Sequence, residues 1–226
     1  MVALVWVLLS LSIIMRAVVA GHGPFSNMYE FSLACAWGIV ILGLLLWWWN
    51  RLSLIIGLTA VLSLIVLIFA ATLSSRVLPL IPALQQGVLL SFHVTAAVIT
   101  YGAFAIGFGI AVVYLVREWN RTGTSSESDI LDKIGYQAAI IGFPFMTLTI
   151  ILGAVWAEIA WGRYWGWDPK ETASFVAWLL YAGYLHARKM RGWRGKRAAV
   201  LMVIGFCAVL FTFFGNYIFQ GLHSYR

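Results

Sequence analysis

Charge is scarce in this sequence. Only 10% of its 226 residues are Asp, Glu, Lys or Arg, against 62% apolar, and its mean hydropathy is +0.92. A soluble domain carries roughly a quarter of its residues as charges, so a soluble enzyme and a disordered chain are set aside. Cysteine is scarcer still. Cys35 and Cys207 lie far apart, each inside an apolar run, and no CxxC occurs. That excludes a disulfide scaffold and offers neither a thiol redox motif nor a zinc site; both thiols read as small buried hydrophobes. There is no internal repeat and no low-complexity linker, only a short polar loop over Thr122–Ser128. What the chain does have is 12 Trp, just 4 His, a net charge of +7 and long apolar runs.

A membrane-spanning helix needs about 20 mostly apolar residues. Seven candidates meet that length: Val2–Ala20, Phe31–Trp49, Leu52–Thr72, Val88–Val116, Tyr136–Trp156, Pro169–Arg188 and Ala198–Tyr217. The first ends in Val18-Val19-Ala20, which is similar to a signal-peptide cleavage site. It lacks a basic leading region and Arg16 interrupts its end, so a retained helix is expected. The expected fold is therefore an all-α, polytopic transmembrane bundle of about seven helices, one domain over 1–226. Pro144 is expected to kink the fifth helix.

Lys and Arg set the expected orientation. With the N-terminus inside, the inner loops hold Arg51, Arg117, Arg121, Lys133, Arg188, Lys189, Arg191, Arg194, Lys196 and Arg197. The outer side holds Arg16, Arg76, Arg163, Lys170 and Arg226. The excess belongs inside, which places the C-terminus outside. The positive charge then reads as topology, and no nucleic acid is needed to explain it.

On this topology His22, His93 and His223 lie at the outer side. His186 follows Pro169 by about 26 Å of helix, near the inner end. His93 and His223 could meet if the fourth and seventh helices are neighbours, and two neutral imidazoles can complete a low-spin haem. They could equally hydrogen-bond locally at the interface. His186, an ionisable group within a span, is a functional candidate on position alone.

Between the fifth and sixth helices, an outer loop over 156–172 concentrates Trp156, Trp161, Tyr164, Trp165 and Trp167. Aromatic belts scatter Trp over several helices, whereas this loop gathers them, and Gly162 and Gly166 allow close backbone approach. Such a shelf suits a planar amphipathic porphyrin; a quinone or sterol would satisfy the same physics. Asp168-Pro169-Lys170-Glu171 also reads as a helix start, with Asp at the N-cap, Pro next and Glu at the third helical position. Asn27-Met28-Tyr29-Glu30 starts the second helix in the same way.

The run Trp161-Gly-Arg-Tyr-Trp-Gly-Trp-Asp-Pro-Lys-Glu-Thr172 resembles the tryptophan-rich WWD motif of haem-handling cytochrome c assembly proteins. Its Asp-Pro-Lys-Glu-Thr ending resembles the CcsA/ResC branch. Gly21-His-Gly-Pro-Phe-Ser-Asn-Met-Tyr-Glu30, Pro82-Ala-Leu-Gln with Ser91-Phe-His93, and Gly221-Leu-His-Ser-Tyr225 are similar to further segments of that branch. The sequence departs from it at Ala173, where an aromatic is frequent.

The resemblance implies a protein that carries haem b to the outer face and presents it for attachment to apocytochrome c bearing CxxCH. It implies His93 and His223 as axial ligands beneath the Trp loop, with Trp161, Trp165, Trp167 and Asp168 around the haem, and His186 at an inner haem site. It implies a ResB-like (CcsB) membrane partner, a lipid bilayer, and a bacterial plasma or thylakoid membrane. No protein nucleophile is implied, so the chain is expected to be part of a synthase complex. Haem is expected to pass outward through the bundle. Arg16, Arg76, Arg163 or Lys170 could pair with haem propionates, or else snorkel to lipid headgroups. The alternatives are a CcmC-like delivery protein without ligation activity and a b-type electron-transfer subunit. A non-haem transporter would want intramembrane acidic residues, and here Asp and Glu sit in loops, at helix ends or on the polar inner segment.

Overall fold

A computed structural model describes residues 2–23, 26–77, 84–85 and 87–218, with side chains through Phe214. The described residues form seven α-helices and no strand: α1 (Val2–Ala20), α2 (Met28–Asn50), α3 (Ser53–Ala71), α4 (Gly87–Asn120), α5 (Ser125–Trp161), α6 (Pro169–Arg191) and α7 (Lys196–Ile218). All but α6 are long and apolar enough to cross a membrane. The chain is thus an integral membrane helix bundle, as its apolar runs predict. α6 carries charge at both ends, and protein packing holds its middle: Ala177, Tyr181 and Tyr184 are buried in the main core.

Caps explain where the helices begin and end. Asn27 Oδ1 accepts the Glu30 backbone N–H at 2.9 Å, so α2 starts at Met28, as the Asn27 cap predicts and ahead of the apolar run at Phe31. At α5 the Thr124 hydroxyl accepts the Glu127 N–H (3.3 Å) while the Glu127 carboxylate accepts the Thr124 N–H (3.2 Å). This reciprocal box starts α5 at Ser125 and absorbs most of the polar loop expected at Thr122–Ser128. α5 continues through Pro144 and past Trp156 to Trp161, where Gly162 (φ 71°) ends it in the left-handed region. The irregular backbone between α5 and α6 is therefore 162–168, shorter than the expected 156–172.

α4 is the hub, packing against α2, α3, α5 and α7. Its contact with α2 is backbone to backbone. A Cβ built on Gly102 would stand 2.5 Å from the Gly38 carbonyl oxygen, and one on Gly38 would stand 2.6 Å from the Val98 carbonyl oxygen. Small residues permit such approach where lipid supplies little hydrophobic drive between helices. In the bundle centre the Phe104 ring stacks on Tyr181, 3.5 Å between centroids and 5° between planes. Gly142 lies directly against the same Phe104 ring.

α1 is the outlier. Only Leu9 of its residues is buried. It is tied to α2 by Trp37, whose indole N–H donates to the Ser10 hydroxyl (2.8 Å). At its end Arg16 Nε meets Glu30 Oε1 at 2.7 Å, and a second guanidinium nitrogen donates to the Ser75 carbonyl (2.8 Å). Ion pair and carbonyl contact together fasten the end of α1 and the start of α2 to the end of α3. The opposite end of the bundle has its own tie. Asp132 on α5 accepts from Arg188 (2.6 Å) on α6 and from the Gly195 N–H (2.8 Å) just before α7. One end of the bundle, where α5 gives way to α6, is thus the Trp end, and the other, where α6 gives way to α7, is the arginine end.

Candidate functional site

A cavity of about 410 Å³ opens at the Trp end, within the roughly 300–1,000 Å³ typical of small-molecule sites. Five helices reach it: Phe31 from α2, His93 and Tyr101 from α4, Thr149, Gly153 and Trp156 from α5, Lys170 and Glu171 from α6, and Thr212 and Phe213 from α7. Tyr164 and Trp165 close it from the 162–168 segment. Its wall is mostly aromatic and aliphatic, with a few convergent polar groups, the composition expected of a ligand site.

His93 is fixed in that wall. Its Nδ1 lies 2.9 Å from the Thr149 carbonyl oxygen. A carbonyl can only accept, so Nδ1 carries the proton and Nε2 carries the lone pair in the neutral ring. Metal-ligating histidines are held in this manner, one ring N–H on a carbonyl and the other nitrogen toward the metal. The ring also lies nearly parallel to Trp156, 6.3 Å between centroids and 13° between planes. Gly153 makes the fit possible, because a Cβ there would stand 2.8 Å from His93 Cε1 and 3.2 Å from Nδ1.

The Trp segment is folded onto α6 by Glu171. Its Oε2 accepts the Gly166 N–H at 2.8 Å and the Asp168 N–H at 3.2 Å. Asp168 Oδ1 in turn accepts the Lys170 N–H at 2.9 Å. Both carboxylates are thus directed at backbone donors around the start of α6, the capping box that the sequence spells. Trp167 takes a left-handed φ of 55°; the residue is 66% exposed, its ring edge-on to Trp165 at 5.7 Å.

The predicted residues therefore fall in three places. His93 and Trp165 line the cavity, and Trp156 joins them. Trp161 stands beside it, edge-on to Trp156 at 4.8 Å, while Trp167 and the buried cap Asp168 lie outside the lining. His186 is exposed near the arginine end of α6, away from the cavity. His223 lies outside the described residues. His22 is also apart from the cavity lining, its Nδ1 2.9 Å from the Gly23 carbonyl oxygen.

Of the four cations proposed for carboxylate pairing, Arg16 is committed to Glu30. Arg76 and Arg163 are exposed, with the Arg163 guanidinium folded over Gly166. Lys170 alone of the four lines the cavity. Phe104 (0% exposed), Tyr181 (1%), Ala138 (0%) and Ala177 (0%) fill the layer between the cavity and His186.

Sequence reasoning missed Thr149, Gly153 and Tyr101. Gly153 carried no signal beyond being a glycine in a span, since its use depends on which helix face meets α4.

Known proteins resemble this chain along most of its length. The family model described as cytochrome C assembly protein matches residues 25–223. A cytochrome c biogenesis protein CcsA of Chlamydomonas reinhardtii is 38% identical over 96% of this chain and 65% of its own length. CcsA proteins of Guillardia theta (35% identical) and Synechococcus sp. strain JA-3-3Ab (34%) are each covered over 79% of their length by 93% of this chain. The chain thus spans just under two thirds of the Chlamydomonas relative.

Proposed function

Since this chain belongs to the cytochrome c assembly protein family, we propose that it holds haem b at the Trp end and presents it to apocytochrome c during cytochrome c maturation. The observation that carries this reading is His93: a tautomer-fixed imidazole in the wall of an aromatic cavity beside the Trp segment. His93 Nε2 supplies one axial ligand. His223, beyond the end of α7, supplies the other. Trp156 and Trp165 offer flat apolar faces to the porphyrin, with Trp161 behind them.

The chain's chemical contribution is orientation rather than nucleophilic attack. Each thiol of a reduced CxxCH adds across one haem vinyl: sulfur bonds one vinyl carbon and a proton goes to the other, with no net oxidation. The cavity fixes the macrocycle so that a vinyl edge faces the incoming peptide, and the two imidazoles would tune the iron's reduction potential and spin. His186, at the opposite end, is the site where haem is first received. A ResB-like membrane protein completes the complex, in a bacterial plasma or thylakoid membrane with the Trp end outward.

The test uses the full chain purified with its co-purifying partner. His93→Gly should lose the low-spin reduced spectrum, and added imidazole should restore it by occupying the vacated ligand position. A His93→Gly protein with an unchanged haem spectrum and intact cytochrome c maturation would refute the axial assignment.

A further inference from the structure

Lys170 is a cation in the cavity wall. It sits in the first turn of α6 and lines the cavity together with His93 and Trp165. Among the described residues the ion pairs are Arg16–Glu30, Arg117–Glu127 and Arg188–Asp132, and Lys170 belongs to none. Its ammonium lies 5.8 Å from the centre of the Phe31 ring on α2, another lining residue. A cation over an aromatic face is attracted to it, though weakly compared with an anion contact.

Two carboxylates are close, and both are already engaged. Asp168 is near enough for its charge to act on Lys170 without an ion pair forming, and it accepts the Lys170 backbone N–H. Glu171 accepts from Gly166 and Asp168. Both lie where the positive end of the α6 dipole offsets part of their charge.

We infer that Lys170 recognises a carboxylate of the ligand, so that the cavity selects an amphipathic porphyrin by its acid group as well as by its iron and its flat face. This deepens the haem reading above and rests on it. With His93 Nε2 on the iron and Lys170 on one carboxylate, two points fix the macrocycle's rotation about the axial bond. One axial ligand alone leaves that rotation open, and rotation decides which edge faces the peptide. Lys170 is a specificity and positioning residue and takes no part in bond formation.

The test compares iron protoporphyrin with its dimethyl ester, which keeps the ring and the iron but has no acid. Each is titrated by absorbance into the full chain in a detergent with a neutral headgroup, so that lipid phosphate does not compete. The wild type should bind the diacid about tenfold or more tightly than the diester, as befits a charge-assisted contact shielded from water. Lys170→Gln should bind both with the diester's affinity, and Lys170→Arg should keep the preference. Equal wild-type affinities, with the His93-dependent spectrum present for both, would overturn the lysine assignment and leave the haem site standing. A Lys170→Gln protein that retains the wild-type preference would overturn it equally. Binding of neither porphyrin by the wild type would overturn the haem reading and the lysine's role with it. Should Lys170→Gln fail to fold, the wild-type ratio and Lys170→Arg decide: lack of a preference in either refutes the inference.

Discussion

Glu171 offers the sharpest perturbation of the Trp segment. Its side chain belongs to a residue only 9% exposed, and one oxygen accepts two backbone N–H groups at 2.8 and 3.2 Å. A hydrogen bond to a charged group contributes about 1.5–3 kcal/mol. The shorter bond takes the upper part of that range and the longer one less, so Glu171→Ala should cost the closed segment roughly 3–4 kcal/mol. Glu171→Gln keeps an acceptor oxygen without the charge. Neutral bonds are about half as strong, so the glutamine variant should lose about half as much. The measurement is amide hydrogen exchange across 162–168, where each 1.4 kcal/mol of lost protection speeds exchange about tenfold. The expected order is wild type slowest, glutamine about tenfold faster or more, and alanine faster again by a similar step. Exchange at the α6 core, around Tyr181, should not change. If alanine and wild type exchange alike across 162–168, Glu171 does not hold the segment in place.

Gly153→Ala should displace the His93 ring, because the new Cβ would stand 2.8 Å from Cε1; α5 gains helix propensity, yet the low-spin haem spectrum should weaken. Gly102→Ala would set a methyl against the Gly38 carbonyl, and such overpacking should cost about 1–3 kcal/mol, read as a lower Tm in detergent. Arg16→Met leaves the Glu30 carboxylate, 0% exposed, without its ion pair. It should cost about 3–5 kcal/mol, and adding Glu30→Gln should recover part of that loss in a double-mutant cycle.

Six helices were legible because their apolar runs reach bilayer length, and the starts of α2 and α6 were legible because Asn27 and Asp168 are ordinary caps. The start of α5 was not. Hydropathy marks where a chain becomes apolar, at Tyr136, whereas Thr124 and Glu127 start the helix more than two turns earlier in polar sequence. The Trp cluster was legible as a cluster, but its division was not. Trp156 and Trp161 belong to a helix end and Trp165 to a strapped segment, and only Trp156 and Trp165 face the cavity. That division depends on rotation of α5 and on the Glu171 strap, neither of which periodicity reports. His93 was readable as a ligand candidate; the carbonyl that fixes its tautomer belongs to a helix 56 residues away.

The packed layer beneath the cavity decides how its two ends can communicate. On the proposed reading, cargo received at His186 must reach His93. Phe104 stacked on Tyr181, with Gly142 against the ring, packs the core tightly, so that an interior route would pass through these side chains. Opening one would mean parting fully buried aromatics, a cost comparable to the roughly 3–5 kcal/mol of truncating a large aromatic side chain. The outer face of α6 needs no such rearrangement. Val176, Leu179, Gly183, His186 and Met190 are all exposed or half-buried, and they recur at alternating spacings of three and four that keep them on one side of the helix. A Cβ on Gly183 would meet nothing within 4 Å. Transfer along this face therefore makes two opposite predictions. Gly183→Trp should leave Tm nearly unchanged yet slow haem delivery from the arginine end to the His93 site. Phe104→Leu should lower Tm and leave delivery at the wild-type rate. Time-resolved absorbance of haem reaching the Trp end, in vesicles loaded from the arginine side, separates them. Faster delivery in Phe104→Leu, with Gly183→Trp indistinguishable from wild type, would return the route to the interior of the bundle.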